Sequence, residues 1–126
     1  MSFRLHHIHL VCRELEPMIH FFTEDLGASL VARTKFGNAD GASLDLQGTA
    51  IYLRLPQQGE KMLENTGGSP YGYHHLGLMV EDLDRVYREL TEKGFEFFVL
   101  PKDAGEARIA MFKGPENNTI ELMQLK

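Results

Sequence analysis

The residues best suited to chemistry in this chain are two His-His pairs, each of which opens a run of alternating apolar residues. His6-His7 precedes the run 8–12, and His74-His75 precedes the run 76–80. Imidazole binds transition metals and titrates near neutral pH, so it serves both metal sites and proton transfer. Because the pattern occurs twice, we expect His7 and His75 to hold equivalent positions in two related halves.

The similarity between the halves extends beyond the histidines. Residues 14–16, Glu-Leu-Glu, correspond to residues 82–84, Asp-Leu-Asp, and residues 49–53 resemble residues 118–122. Two halves of about the size of a supersecondary unit are expected to pack together. Such packing would bring equivalent positions to their junction.

Hydrophobic periodicity predicts the elements that must position these residues. In the first half it predicts strands over 3–12, 28–36, 42–47 and 49–55 and a helix over 14–26 that Gly27 ends. In the second half it predicts strands over 73–80, 95–100, 107–113 and 118–125 and a helix over 82–93. Each half therefore has the order βαβββ.

The predicted fold is α+β: two βαβββ modules form a curved, barrel-like mixed sheet around a central cavity. We expect a single domain over residues 1–126, with module 1 at about 3–55 and module 2 at about 73–125. The connecting segment 56–72 contains Gly-rich turn signals and a short helical stretch around 60–65. It is long for a connection and suits a linker or a lid.

Strand alternation places the candidate site residues on one face of the predicted sheets. Successive side chains of a strand point to opposite faces, so one face packs on the helix and the other faces away. The residues predicted on the face away from the helix are His7, His9, Tyr52, Arg54, His75 and Glu121. The same alternation places His6 and His74 on the opposite face.

Two imidazoles and one carboxylate from different strands could form a divalent-metal site with open coordination positions. His7, His75 and Glu121 are the candidate ligands, while ordinary surface or hydrogen-bonded histidines remain the alternative. His9 could shuttle a proton or donate to a substrate, or it could bond to a neighbouring strand. Arg54 could bind a substrate carboxylate, or it could form a salt bridge at the sheet rim.

Composition limits the partners. The net charge of -5 argues against nucleic acid and against an anionic membrane surface, and no apolar run is long enough for a membrane span. The single cysteine excludes an internal disulfide and favours a reduced, cytoplasmic setting. A small-molecule substrate is the expected partner.

The repeat, the strand-opening histidines and the closing segment 114–122, Gly-Pro-Glu-Asn-Asn-Thr-Ile-Glu-Leu, resemble the vicinal oxygen chelate superfamily. This superfamily includes glyoxalase I, methylmalonyl-CoA epimerase, extradiol dioxygenases and the fosfomycin and bleomycin resistance proteins. The resemblance implies a divalent metal ion (Zn, Ni, Co, Mn or Fe) bound by His7, His75 and Glu121, and it implies a homodimer. It places Tyr52 at a fourth position that holds Glu or Gln in some relatives.

The resemblance implies a metal-dependent lyase or isomerase that transfers a proton on a small oxygenated substrate. Glu121 would act as ligand and base, His9 as a catalytic partner, and Tyr52 and Arg54 as substrate-binding residues. Val11 stands where glyoxalase I has an arginine for glutathione, which argues against glutathione adducts. The alternatives are a 2-His-1-carboxylate iron(II) dioxygenase and a resistance-type protein, either similar to the fosfomycin transferases or drug-binding.

Overall fold

The computed structural model describes residues 1–126, which divide into two compact units, Met1–Glu64 and Asn65–Lys126. Each unit contains one βαβββ module, so the predicted α+β class and module order are confirmed. The strands form two separate four-stranded mixed sheets that are not closed into a barrel.

The first unit comprises β1 (His7–Val11), α1 (Leu15–His20), a π-helical turn (Phe21–Asp25), β2 (Ser29–Phe36), β3 (Ala39–Leu46) and β4 (Thr49–Arg54). The strand order is β1-β4-β3-β2, in which β1 runs parallel to β4 and the other pairs are antiparallel. The helical segment ends at Gly27, whose φ of 82° lies in the left-handed region that glycine adopts without a steric penalty.

The second unit comprises β5 (Leu76–Met79), α2 (Leu83–Glu92), β6 (Phe97–Ala104), β7 (Ala107–Lys113), a 3₁₀ turn (Pro115–Asn117) and β8 (Thr119–Leu125). The strand order β5-β8-β7-β6 repeats that of the first unit, again with one parallel pair, β5 and β8. The Asp82 carboxylate caps α2 by accepting a hydrogen bond from the Arg85 N–H at 3.2 Å.

The core of each unit lies between its helix and one face of its sheet. On β4, Ile51 and Leu53 are 2% and 0% exposed, whereas Tyr52 and Arg54 between and beside them are only partly buried. This alternation agrees with the predicted faces. The largest buried side chains are Met18, Phe21, Phe22, Leu44, Ile51 and Leu53 in the first unit and Leu83, Phe112, Ile120 and Leu122 in the second.

Several predicted bounds differ from the structure, among them those of β3, predicted over 42–47 and observed over Ala39–Leu46, and of β6, predicted over 95–100 and observed over Phe97–Ala104. The first strand begins at His7 rather than at residue 3, because its pairing with β4 starts at His7, opposite Ala50. Likewise β5 begins at Leu76 rather than at 73, because its pairing with β8 starts at Leu76, opposite Ile120. Residues 60–65 form no helix, which fits the instability of a helix shorter than two turns. No helix in the structure has the length and apolarity needed to cross a membrane.

Candidate active site

His75 and Glu121 form the polar centre of the second unit. His75 immediately precedes β5, and Glu121 lies on β8 in register with Gly77. The His75 Nε2 and Glu121 Oε1 atoms are 3.3 Å apart, and the two side chains are 31% and 18% exposed. Two ligands at about 2.1 Å from one ion lie about 3.0 to 3.4 Å apart for angles between octahedral and tetrahedral. The donor types and their separation therefore fit two ligands of a divalent ion.

The glycine opposite Glu121 keeps space beside this pair. A Cβ atom at Gly77 would meet only Glu121 Oε1, at 3.7 Å, which is an ordinary contact. A substrate group could approach Glu121 from this side without displacing a side chain of residue 77.

A constrained loop delivers Glu121 to its position. The Gly114 N–H donates to the Asn118 carbonyl at 2.7 Å, and Glu116 and Asn117 adopt left-handed backbone angles with φ of 58° and 61°. The side-chain amide of Asn117 donates to the carbonyl of Asn65 at 2.9 Å. Uncommon backbone angles of this kind persist where surrounding contacts hold them, and here they fix the start of β8.

An aromatic cluster occupies the open face of the first sheet. The His7 and Tyr52 rings stack with centroids 4.2 Å apart and an interplanar angle of 25°. The His9 ring lies 4.7 Å from that of Phe36 and 5.8 Å from that of Tyr52. We call these four residues, His7, His9, Phe36 and Tyr52, the aromatic face.

The strand register identifies Tyr52 as the counterpart of Glu121. In the first sheet Tyr52 pairs with His9, which lies two residues after His7. In the second sheet Glu121 pairs with Gly77, which lies two residues after His75. The same structural position thus carries an aromatic side chain in one module and a carboxylate in the other.

Arg54 is held by a carboxylate of its own unit. Its guanidinium donates to both Glu60 oxygens, at 2.7 and 3.0 Å, and the Gln57 backbone N–H donates to the same carboxylate at 2.9 Å. These hydrogen bonds, from Arg54 first and from Gln57 second, lower the pKa of Glu60 to about 2. Arg54 therefore already has an anionic partner at neutral pH.

His9 lies beside this ion pair. Its partial burial, and secondarily the positive charge of Arg54 and the neighbouring His7, lower the pKa of its imidazole. The neutral ring can accept or donate one hydrogen bond.

The structure thus brings His75 together with Glu121, and His7 together with His9 and Tyr52. It contains no group of three or more His, Cys, Asp or Glu side chains arranged to hold a metal ion. The predicted three-ligand set draws His7 from one unit and the other two ligands from the second.

Sequence reasoning missed three features of these sites. Phe36 belongs to the aromatic face, and no local pattern predicts its contact with His9. Glu60 pairs with Arg54 but lies in a segment without hydrophobic periodicity, so no pattern predicts this ion pair. The third feature is a contact of His6 and His74, which precede their strands, with the histidine that follows each of them, at 2.9 and 2.8 Å between the Nδ1 atoms.

Comparisons with known proteins agree on one family. A family model described as the Glyoxalase/Bleomycin resistance protein/Dioxygenase superfamily matches residues 4–122. Glyoxylase I 4 of Arabidopsis thaliana is 25% identical over 120 residues, which cover 94% of this chain and 68% of that protein.

Solved structures share the fold over the whole chain. A glyoxylase/bleomycin resistance protein/dioxygenase domain from Frankia sp. EAN1pec has a TM-score of 0.82 and 24% identity, covering 100% of this chain and 94% of that one. The fosfomycin resistance protein FosX from Listeria monocytogenes has a TM-score of 0.76 and 20% identity, covering 100% and 96%.

Proposed function

Because this chain belongs to the Glyoxalase/Bleomycin resistance protein/Dioxygenase superfamily, we propose that it is a metal-dependent lyase or isomerase that transfers a proton on a small oxygenated substrate. The observation that carries this proposal is the 3.3 Å approach of His75 Nε2 to Glu121 Oε1, with Gly77 leaving space beside them. His7, at the equivalent position of the other module, is the proposed third ligand.

The proposed cofactor is one divalent ion per chain, held by His7, His75 and Glu121. When bound, such an ion acts as a Lewis acid that polarises a substrate oxygen. The superfamily typically uses divalent metals, and two imidazoles with one carboxylate suit Zn, Ni, Co, Mn or Fe.

Glu121 is the proposed base. Its carboxylate takes the proton from a substrate carbon next to a carbonyl and returns it to the same carbon or to its neighbour, so no proton is gained or lost overall. His9 is proposed to donate a hydrogen bond to the substrate or to relay the proton, and Tyr52 to contact the substrate through its ring.

Arg54 is the proposed partner of an anionic substrate group. A bidentate guanidinium suits a carboxylate, but Glu60 occupies that position in this structure. Binding of an anionic substrate at Arg54 would therefore require Glu60 to move away.

The aromatic face supports a second candidate function, a resistance-type protein that binds an antibiotic. The stacked His7 and Tyr52 rings, with Phe36 beside them, present flat apolar surface to which a planar drug could bind. The fold likeness to FosX is compatible with this function. In that case antibiotic binding would persist with a chelator present and would be lost in Tyr52→Ala.

We also propose that the protein is a homodimer. Both sheets end in exposed edge strands, β2 and β6, which carry the exposed apolar side chains of Val31, Phe98 and Leu100. A second copy would cover such edges. Light scattering at micromolar concentration should report twice the chain mass of 14.3 kDa, and a mass near 14.3 kDa alone would reject the dimer.

Metal binding is the direct test. Chelator-stripped protein is loaded with Zn, Ni, Co, Mn or Fe(II), and bound metal is measured by elemental analysis. We expect one ion per chain in the wild type, none in His75→Ala or Glu121→Gln, and one in the control His20→Ala, because His20 lies exposed on α1. Unchanged metal content in His75→Ala would contradict the ligand assignment.

The reaction class has its own test. Small 2-oxo, 2-hydroxy and thioester acids are incubated with metal-loaded protein in heavy water, and deuterium at the carbon next to the carbonyl is followed by NMR. We expect metal-dependent exchange that falls sharply in Glu121→Gln. Oxygen consumption with a catechol after ferrous loading, without any exchange, would instead indicate a dioxygenase.

A further inference from the structure

The two modules share a contact that the proposed reaction does not explain. In the first unit, the Nδ1 atoms of His6 and His7 lie 2.9 Å apart, and the rings meet at an interplanar angle of 90°. In the second unit, the Nδ1 atoms of His74 and His75 lie 2.8 Å apart, with an interplanar angle of 82°. The same contact thus forms at equivalent positions in both halves of the repeat.

This contact depends on where the strands begin. Neighbouring side chains within a strand point to opposite faces and cannot bring their rings together. His6 precedes β1 and His74 precedes β5, so the backbone at these residues is not bound by strand alternation. Each module therefore delivers the first histidine of the pair beside the second.

From these contacts we infer that His6 and His74 are positioning residues, which accept a hydrogen bond from the Nδ1–H of His7 and His75 and so direct each Nε2 lone pair toward a cation. This inference rests on the proposed function. Two nitrogen atoms at 2.8 to 2.9 Å need one proton between them, and a ring that binds a cation through Nε2 carries its proton on Nδ1.

In the second unit the chain of contacts continues to a hydroxyl group. When His74 accepts at Nδ1, its neutral ring carries the proton on Nε2, which lies 3.3 Å from Ser69 Oγ. Ser69 can accept that hydrogen bond, and the lone pair of His75 Nε2, 3.3 Å from Glu121 Oε1, is then available for a cation that both atoms would bind. One consistent set of protons therefore runs from Ser69 to the proposed cation position. Partners of this kind fix the ring orientation and basicity of metal-binding histidines.

The test compares His74→Ala with His74→Asn, whose side-chain oxygen can accept a hydrogen bond at about the position of Nδ1. Zn²⁺ dissociation constants are measured by competition with a chromophoric chelator. We expect about a 10- to 100-fold loss of affinity in His74→Ala and a much smaller loss in His74→Asn. His6→Ala should behave like His74→Ala, and the control His20→Ala should match the wild type.

A second measurement needs no metal. The wild-type apoprotein should show an imidazole N–H proton in each module that is shifted downfield and exchanges slowly in ¹H–¹⁵N spectra. His74→Ala should lose the signal of the second module and keep that of the first.

The outcomes separate this inference from the proposed function. A wild-type protein that binds none of Zn, Ni, Co, Mn or Fe(II) overturns both. Wild-type Zn²⁺ affinity in both His6→Ala and His74→Ala, or absence of both downfield signals, overturns the positioning role and leaves the proposed function in place. A loss in His74→Asn equal to that in His74→Ala also overturns it, because the role assigned to His74 is that of an acceptor.

Discussion

Two glycines, one in each sheet, should respond in opposite directions to the same Gly→Ala substitution. Gly41 on β3 faces the Phe36 ring: a Cβ atom there would lie 2.6 and 2.7 Å from two ring carbons and closer still to the Leu53 carbonyl oxygen. Gly77 on β5 leaves open space, in which a Cβ atom would touch only Glu121 Oε1, at 3.7 Å. Neither glycine has a positive φ, so steric contact decides the outcome.

The magnitude for Gly41→Ala follows from two opposing effects. Alanine restricts the unfolded chain and so stabilises the fold by about 0.4–1 kcal/mol, whereas overpacking a close contact costs about 1–3 kcal/mol. The Leu53 carbonyl belongs to β4, which pairs directly with β3, so it cannot move without distorting the sheet. We therefore expect the upper part of the cost range and a net loss of about 2 kcal/mol.

For Gly77→Ala the steric cost is absent, so we expect a gain of about 0.4–1 kcal/mol. Urea denaturation followed by far-ultraviolet circular dichroism measures both. With a denaturant slope of about 1.5 kcal/mol/M, the two midpoints should differ by about 2 M at an unchanged slope. If Gly41→Ala is as stable as the wild type, the predicted steric clash at Gly41 is refuted. If Gly77→Ala is clearly less stable than the wild type, the predicted open space at Gly77 is refuted.

The same pair of variants separates stability from the site. Gly41→Ala should also disturb the aromatic face, because the Phe36 ring that must move lies 5.4 Å from the Tyr52 ring. Gly77→Ala should remain folded yet reduce substrate turnover, because its methyl group takes up space beside Glu121.

Three further predictions concern single contacts. Because the pKa of Glu60 is lowered from 4.5 to about 2, its ion pair with Arg54 contributes fully to stability above about pH 4.5 and is lost as the pH falls toward 2. The difference in unfolding free energy between wild type and Glu60→Gln, measured in urea melts, should therefore shrink as the pH falls through that window. A difference that stays constant would contradict the ion pair. Asp82→Ala should cost about 1 kcal/mol by removing the cap of α2, and the control Asp82→Asn should restore most of it in the same melts. Phe112→Ala, at a side chain that is 0% exposed, should cost about 3–5 kcal/mol, and a loss below 1 kcal/mol would mean that the second core is packed differently.

The sequence by itself determined the order of elements and the face on which most of the candidate residues lie. Strand alternation correctly separated Ile51 and Leu53 from Tyr52 and Arg54, and the internal repeat alone matched His7 with His75. These features are local: periodicity needs only a few consecutive residues, and a repeat needs only a comparison of the chain with itself.

Only the tertiary structure decided which partners these residues meet. Phe36 reaches His9 across two intervening strands, and Glu60 pairs with Arg54 from a segment without regular structure. The contact of His6 with His7 depends on where pairing with β4 begins, which no local pattern reports. Contacts of this kind form between residues that only the folded sheet brings together, and their energies are set by the distance and burial that the fold imposes.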